Sequence, residues 1–319
     1  MKRFTIRVMQ FIVLFVILGG FSFITKYDHK MGIWGFFANN SFLGKKKHFE
    51  DFFSEKDEIN LIIGSSQIQY GVIPDSLGEK WYSFSSGGQT IYNSYKFLEY
   101  YSNSIKIDTI IIGFAPFDFP FSYRQKNYDY SNPYFIVFGP DSISMYPKHR
   151  LVKRGIQNTF NIIFPNLNNK FSAISQIVYG KQGFTAAVNA PAINMDSLYN
   201  SSPTKFDNHI DYFSNVKEKP NMKYFQLFHS FCQKEDIDVI YLLTPKSKFY
   251  NMNVRKVEND LLWSTIIDSL KRYDITIWDY EYLNTDSLTY SFFLDETHLS
   301  YHGALKFTSM IRERLYNDY

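Results

Sequence analysis

The sequence predicts an α/β fold built on a mainly parallel five-stranded sheet, and three features carry that expectation. Five short apolar runs recur along the chain, and amphipathic helical segments lie between them. The runs are continuously apolar rather than alternating, as in strands buried on both faces. Strand and helix take turns, as crossover connections between parallel strands require.

Taken in order, the chain opens with Lys2, Arg3 and Arg7, then an apolar stretch from Val8 to Thr25 interrupted by Gln10 and by small residues at Gly19-Gly20 and Ser22. As a helix this stretch reaches about 27 Å, nearly the hydrocarbon thickness of a bilayer. No clear small-x-small cleavage site follows, so an uncleaved anchor over residues 1–28 is expected rather than a signal peptide. The preceding positive charges place the N-terminus in the cytoplasm and the body of the chain outside the cell membrane. Residues 29–58 read as a linker and a first surface helix, with Lys45-Lys46-Lys47 followed by Glu50, Asp51, Glu55, Asp57 and Glu58.

The α/β domain is expected over 59–319. Its strands are predicted at 59–63, 81–84, 107–112, 237–243 and 275–278, all rich in Ile, Leu, Val, Tyr and Trp. Helices are predicted at 89–101, where Ile91, Tyr95 and Leu98 share a face, and at 222–234, through Met222, Phe225, Phe228 and Cys232. Two more are predicted at 257–272, through Leu261, Leu262 and Ile266, and at 303–315, through Ala304, Phe307, Ile311 and Leu315. Residues 120–220 break this rhythm with eight prolines and many Asn, Tyr and Ser residues, and read as an insertion folded over the sheet with helices of its own.

Composition excludes several classes of function. With 319 residues, 45% apolar and 20% charged, the chain is that of a globular protein. A net charge of +3 with dispersed lysines offers no basic stripe for phosphates, so nucleic acid is not an expected partner. The single Cys232 rules out an intramolecular disulfide and any cysteine-based metal site, and reads as a small core residue. No His/Asp/Glu cluster with ligand spacing stands out, so neither a metal nor another cofactor is expected. The 32 Phe and 25 Tyr suit sheet packing and would equally suit carbohydrate contact.

The chemistry is expected from two distant pieces. Gly64-Ser65-Ser66 follows the first strand, where a serine gains backbone N–H neighbours at the start of a helix. Near the other end stands Asp295-Glu296-Thr297-His298, just before the last helix. Together they supply a nucleophile (Ser66), a base (His298) and a carboxylate that orients the base (Asp295). Each piece alone would also serve as a helix cap, with Asp295 and Ser300 capping the last helix. His149, His209, His229 and His302 lack such company and read as structural or surface residues.

These residues resemble the SGNH/GDSL family of serine esterases and acyltransferases. Gly64-Ser65-Ser66 is similar to the family's Gly-Asp-Ser block, and Asp295-x-x-His298 to its Asp-x-x-His block. The resemblance covers roughly 59–118 and 237–315 and implies a flavodoxin-like three-layer sandwich. It also implies an oxyanion hole from the N–H groups of Ser66 and of Gly87 or Gly88, and a cleft lined by Gln67, Ala115, Asp118 and Thr244. The family's third block, Gly-x-Asn-Asp, is replaced by Gly113-Phe114-Ala115-Pro116-Phe117-Asp118, which lacks the Asn donor.

Within the family, the anchor, Gly-Ser-Ser and Gly71-Val72-Ile73-Pro74 are similar to anchored proteins of teichoic-acid D-alanylation and of exported-polysaccharide O-acetylation. The resemblance implies acyl transfer to a cell-surface glycan, or ester hydrolysis, beside a membrane-bound O-acyltransferase. The other expectation is a non-catalytic scaffold or glycan-binding subunit of the same fold.

Overall fold

The computed structural model describes residues 11, 42–87, 89–115, 118, 177–179, 182–187, 220–251, 268, 270–271, 273, 275, 277–281, 283 and 290–318. The chain divides into two compact units, 1–44 with 132–174 and 45–131 with 175–319. Of the first unit only Phe11 and residues 42–44 are described, all helical. Apart from Phe11, the stretch expected to anchor the chain lies outside the described residues. Among those described, no helix is long and apolar enough to cross a membrane.

Helix α1 (Phe42–Ser54) leads into strand β1 (Ile59–Gly64), a single helical turn α2 (Ser66–Gln69) and strand β2 (Trp81–Ser83). Helix α3 (Ile91–Tyr101), strand β3 (Ile107–Phe114) and a short hairpin of β4 (Ile177–Tyr179) and β5 (Thr185–Ala187) follow. Then come α4 (Pro220–Lys234), β6 (Asp238–Leu243), β7 (Ile277–Asp279) and α5 (Tyr301–Asp318). Five strands form one sheet in the order β2-β1-β3-β6-β7, and every pairing in it is parallel. The expected α/β class and five-stranded sheet are therefore present, flanked by helices on both faces. Because β2 and β3 leave β1 on opposite sides, the strand order switches at β1, where such sheets open a crevice at their carboxyl ends.

Burial explains why the runs read as continuous. Leu61, Ile62, Ile63, Ile110, Ile111, Ile112, Ile240, Leu242 and Leu243 are all 0–1% exposed. One face packs Ile62, Ile111, Ile240 and Leu242 with Ile68, Trp278, Phe307 and Ile311, so α2 and α5 cover it. On the other face Phe49 of α1 sits at the centre of rings from Phe53, Tyr82, Phe84, Phe97 and Tyr101, with centroids 5.0–5.3 Å away. Phe225 and Tyr241, 5.2 Å apart, continue that layer under α4, beside Phe228 and the buried Cys232. Burial pushes the Cys232 thiol well above its ordinary range.

Two expectations shift in detail. α1 is a core helix as much as a surface one, since Phe49 is fully buried and Lys45, from the basic run, is 5% exposed with Nζ donating to Ser85 O at 2.5 Å. Burial lowers that ammonium to about 7. In α3 the buried face runs through Ile91, Phe97, Leu98 and Tyr101, while Tyr95 turns outward and donates to Glu99. The start of α3 is set by Thr90 and Asn93, which form a reciprocal capping box.

Little of the insertion expected at 120–220 falls within the described residues. Its β4–β5 hairpin belongs with β2: Ser83 N donates to Gln182 O at 2.8 Å and Gln182 Nε2 to Gly78 O at 2.8 Å. Such contacts cover an otherwise open sheet edge. The helix expected at 257–272 falls within the described residues only at 268, 270 and 271, which are helical.

Candidate active site

The turn after β1 is shaped by glycine and by one isoleucine. Gly64 has φ +136°, a conformation other residues rarely adopt, and swings the chain from the strand into α2. Ile68, fully buried, plugs α2 onto the sheet against Gly113 of β3. Ser66 is thereby held at the carboxyl end of β1, partly exposed, with the first N–H groups of α2 around it. Ser65 places no side-chain cap on them.

The other half of the site is a closed loop before α5. Phe293 and Leu299 bridge antiparallel, Leu294 N donates to His298 O at 2.8 Å, and Ser300 N donates to Phe292 O at 2.8 Å. Inside it the Asp295 carboxylate accepts from Thr297 N at 2.9 Å and His298 N at 3.0 Å. Capping of α5 falls to Ser300, whose Oγ accepts from Gly303 N at 3.2 Å. Asp295 is thus not needed as a helix cap and turns to the imidazole.

The two halves meet. Ser66 Oγ lies 2.7 Å from His298 Nε2, and His298 Nδ1 lies 2.8 and 2.9 Å from the two Asp295 oxygens. A carboxylate can only accept, so Nδ1 carries the proton and Nε2 is left to accept from the serine hydroxyl. The Tyr70 ring stands edge-on to the imidazole at 5.5 Å. Replacing Asp295 with Asn permits the wrong tautomer, and an Asp295→Asn variant should lose about 10²–10⁴ in kcat for an activated ester with KM little changed, as steady-state kinetics would read.

Gly87, an expected oxyanion glycine, lies in a turn bonded to the end of β1. Ser86 N donates to Gly64 O at 3.1 Å and Gln89 N to Ser86 O at 3.0 Å, closing a turn around Gly87. The N–H groups of Ser66 and Gly87 meet no acceptor among the described residues. Gly88 lies outside them.

The residues expected to line the cleft are all buried: Ala115, Thr244, Gln67 and Asp118 are 1, 2, 5 and 6% exposed. Among them stands Lys246, 3% exposed, which sequence reasoning missed. Its Nζ donates to Gln67 Oε1 at 2.6 Å, Thr244 Oγ1 at 2.9 Å and Thr244 O at 3.1 Å. Burial lowers its pKa while Glu281, Asp118, Asp279 and Asp295 act to raise it. The only sequence signal was a lysine just past the end of a buried strand, where sheets of this kind build sites.

Burial pushes the Asp118 carboxyl up to about 7, against the pull of the Ala115 N–H, 2.7 Å away, and of Lys246. Between its ordinary value of 3.8 and about 7 the folded protein binds this proton more readily than the unfolded chain. Its contribution to stability is therefore full below that range and lost as pH rises through about 7. An Asp118→Asn variant, which keeps an acceptor for Ala115 N–H, should remove that slope. Unfolding free energies from urea titrations at pH 4 and pH 7 should show a wild-type-minus-variant difference that falls by about 3 kcal/mol.

No protein-family model matches the chain, and comparison with curated proteins finds no matching sequence.

Proposed function

We propose that the chain is an extracytoplasmic serine O-acyltransferase or esterase of the SGNH type, acting on a cell-surface or exported glycan through an acyl-Ser intermediate. The observation that carries this reading is the continuous hydrogen-bonded series Ser66–His298–Asp295 at the carboxyl edge of a parallel sheet. His298 Nε2 takes the Ser66 proton as Oγ attacks the acyl carbon, and Asp295 stabilises the imidazolium. The negative oxygen is held by the N–H groups of Ser66 and Gly87, with Gly88 the alternative glycine. His298 then protonates the leaving group. Water or a glycan hydroxyl, deprotonated by the same imidazole, attacks the acyl-Ser and releases the enzyme.

The apolar stretch over residues 8–25 and the basic residues before it support a membrane-tethered placement with the site outside the cytoplasm. A membrane-bound O-acyltransferase fits as the partner that would deliver the acyl group. One observation favours the scaffold reading instead, the absence of an Asn after β3.

Labelling with a fluorophosphonate separates the two, because only an activated serine reacts. The expected result is a single adduct on the peptide containing Ser66, found by mass spectrometry and blocked by prior treatment with an activated ester. A wild-type protein that takes up no probe would overturn the acyl-transfer reading and leave the scaffold.

A further inference from the structure

We infer that the Gln67 side-chain amide supplies the oxyanion donor that the segment after β3 lacks, and that Lys246 is the residue positioning it. The inference rests on the acyl-transfer reading. An ammonium has donors only, so the Gln67 atom it meets at 2.6 Å is the amide oxygen. The Thr244 hydroxyl, which accepts from Lys246 at 2.9 Å, donates its own hydrogen to the same oxygen at 3.3 Å. With Oε1 tied down twice, the NH₂ end has one orientation left.

That end is the unusual feature. Gln67 Nε2 meets no acceptor among the described residues, although the residue is only 5% exposed, and the atom is not sealed from solvent. An amide donor with no protein acceptor, reachable from the site, is open to a ligand oxygen. Position favours the acyl oxygen. Gln67 follows Ser66 directly, yet its side chain is tied to residues just beyond β6. Because β3 lies between β1 and β6, the side chain runs across the end of β3. There Gly113-Phe114-Ala115 brings no side-chain amide, and the Asp118 carboxyl accepts from Ala115 N at 2.7 Å. The Lys246 charge behind Oε1 polarises the amide and makes Nε2 the stronger donor.

The test compares Gln67→Met, which keeps the volume and removes the donor, with Gln67→Glu, which keeps the pairing to Lys246 and removes the donor. Both should lower kcat for p-nitrophenyl acetate by about 10²–10³ with KM nearly unchanged. Lys246→Met should lower kcat by about tenfold alone and add nothing to Gln67→Met, because it acts only through that amide. A role confined to folding would instead lower the melting temperature and the active-site titre and leave kcat per titrated site intact.

If wild-type turnover depends on Ser66 but either folded Gln67 variant keeps kcat within about twofold, or if the Lys246 and Gln67 losses multiply, the inference is overturned. Should Gln67→Glu misfold beside the acidic groups near Lys246, Gln67→Met carries the test. Wild-type protein without Ser66-dependent turnover is a separate result, which removes the acyl-transfer reading itself.

Discussion

A Ser66→Ala variant should lose at least about 10³-fold in turnover of p-nitrophenyl acetate, along with all fluorophosphonate labelling, while its melting temperature stays close to that of the wild type. The hydroxyl is small and partly exposed, and among the described residues its hydrogen bond is to His298 alone, so removing it leaves the fold untouched. What remains is imidazole-assisted attack by water, with the N–H donors of Ser66 and Gly87 still in place. That residue of rate distinguishes the serine's contribution from the donors'. A variant with wild-type turnover would show that the Ser66–His298 contact is structural, and the acyl-Ser chemistry would fall with it.

Legibility in the sequence followed burial. β1, β3 and β6 could be read because both their faces are covered, which forces unbroken apolar runs such as Leu61 to Ile63 in β1 and Ile110 to Ile112 in β3. The boundaries moved where side chains rather than hydropathy set them: α3 starts where Thr90 and Asn93 cap each other, and α5 starts after Ser300. The pairing of Ser66 with Asp295 and His298 was legible because each sits at a junction leading into a helix, and junctions at one sheet edge converge. Lys246 was not. Hydropathy treats a lysine as surface, and only the sheet order, which sets β6 two strands from β1, shows that its ammonium ends beside Gln67. Lys45 escaped for the same reason, as part of a solvated run, although its amine is buried against Ser85 O.

Gly64→Ala should be the most damaging small substitution near the site, because strain and collision coincide there. At φ +136° a side chain is strained wherever it points, and a Cβ would stand 2.3 Å from Gly113 O and 3.0 Å from Ile68 Cγ2. Gly64 and Gly113 are paired in register between β1 and β3, so neither backbone can retreat without breaking the central ladder. The expected loss is about 3 kcal/mol or more in urea unfolding, the sum of a forbidden backbone conformation and an overpacked contact. Gly78→Ala is the control. It has φ +135°, but its Cβ would meet only Trp81 Cδ1 at 3.9 Å, so it carries the strain without the collision and should cost about 1–2 kcal/mol. Ser66 labelling separates the two further: displacement of β1 from β3 would carry Ser66 away from His298, so probe uptake should fall in folded Gly64→Ala and stay intact in Gly78→Ala. Equal losses of stability in the two variants would mean that the close approach of β1 to β3 contributes nothing, and that the backbone angle alone places the nucleophile.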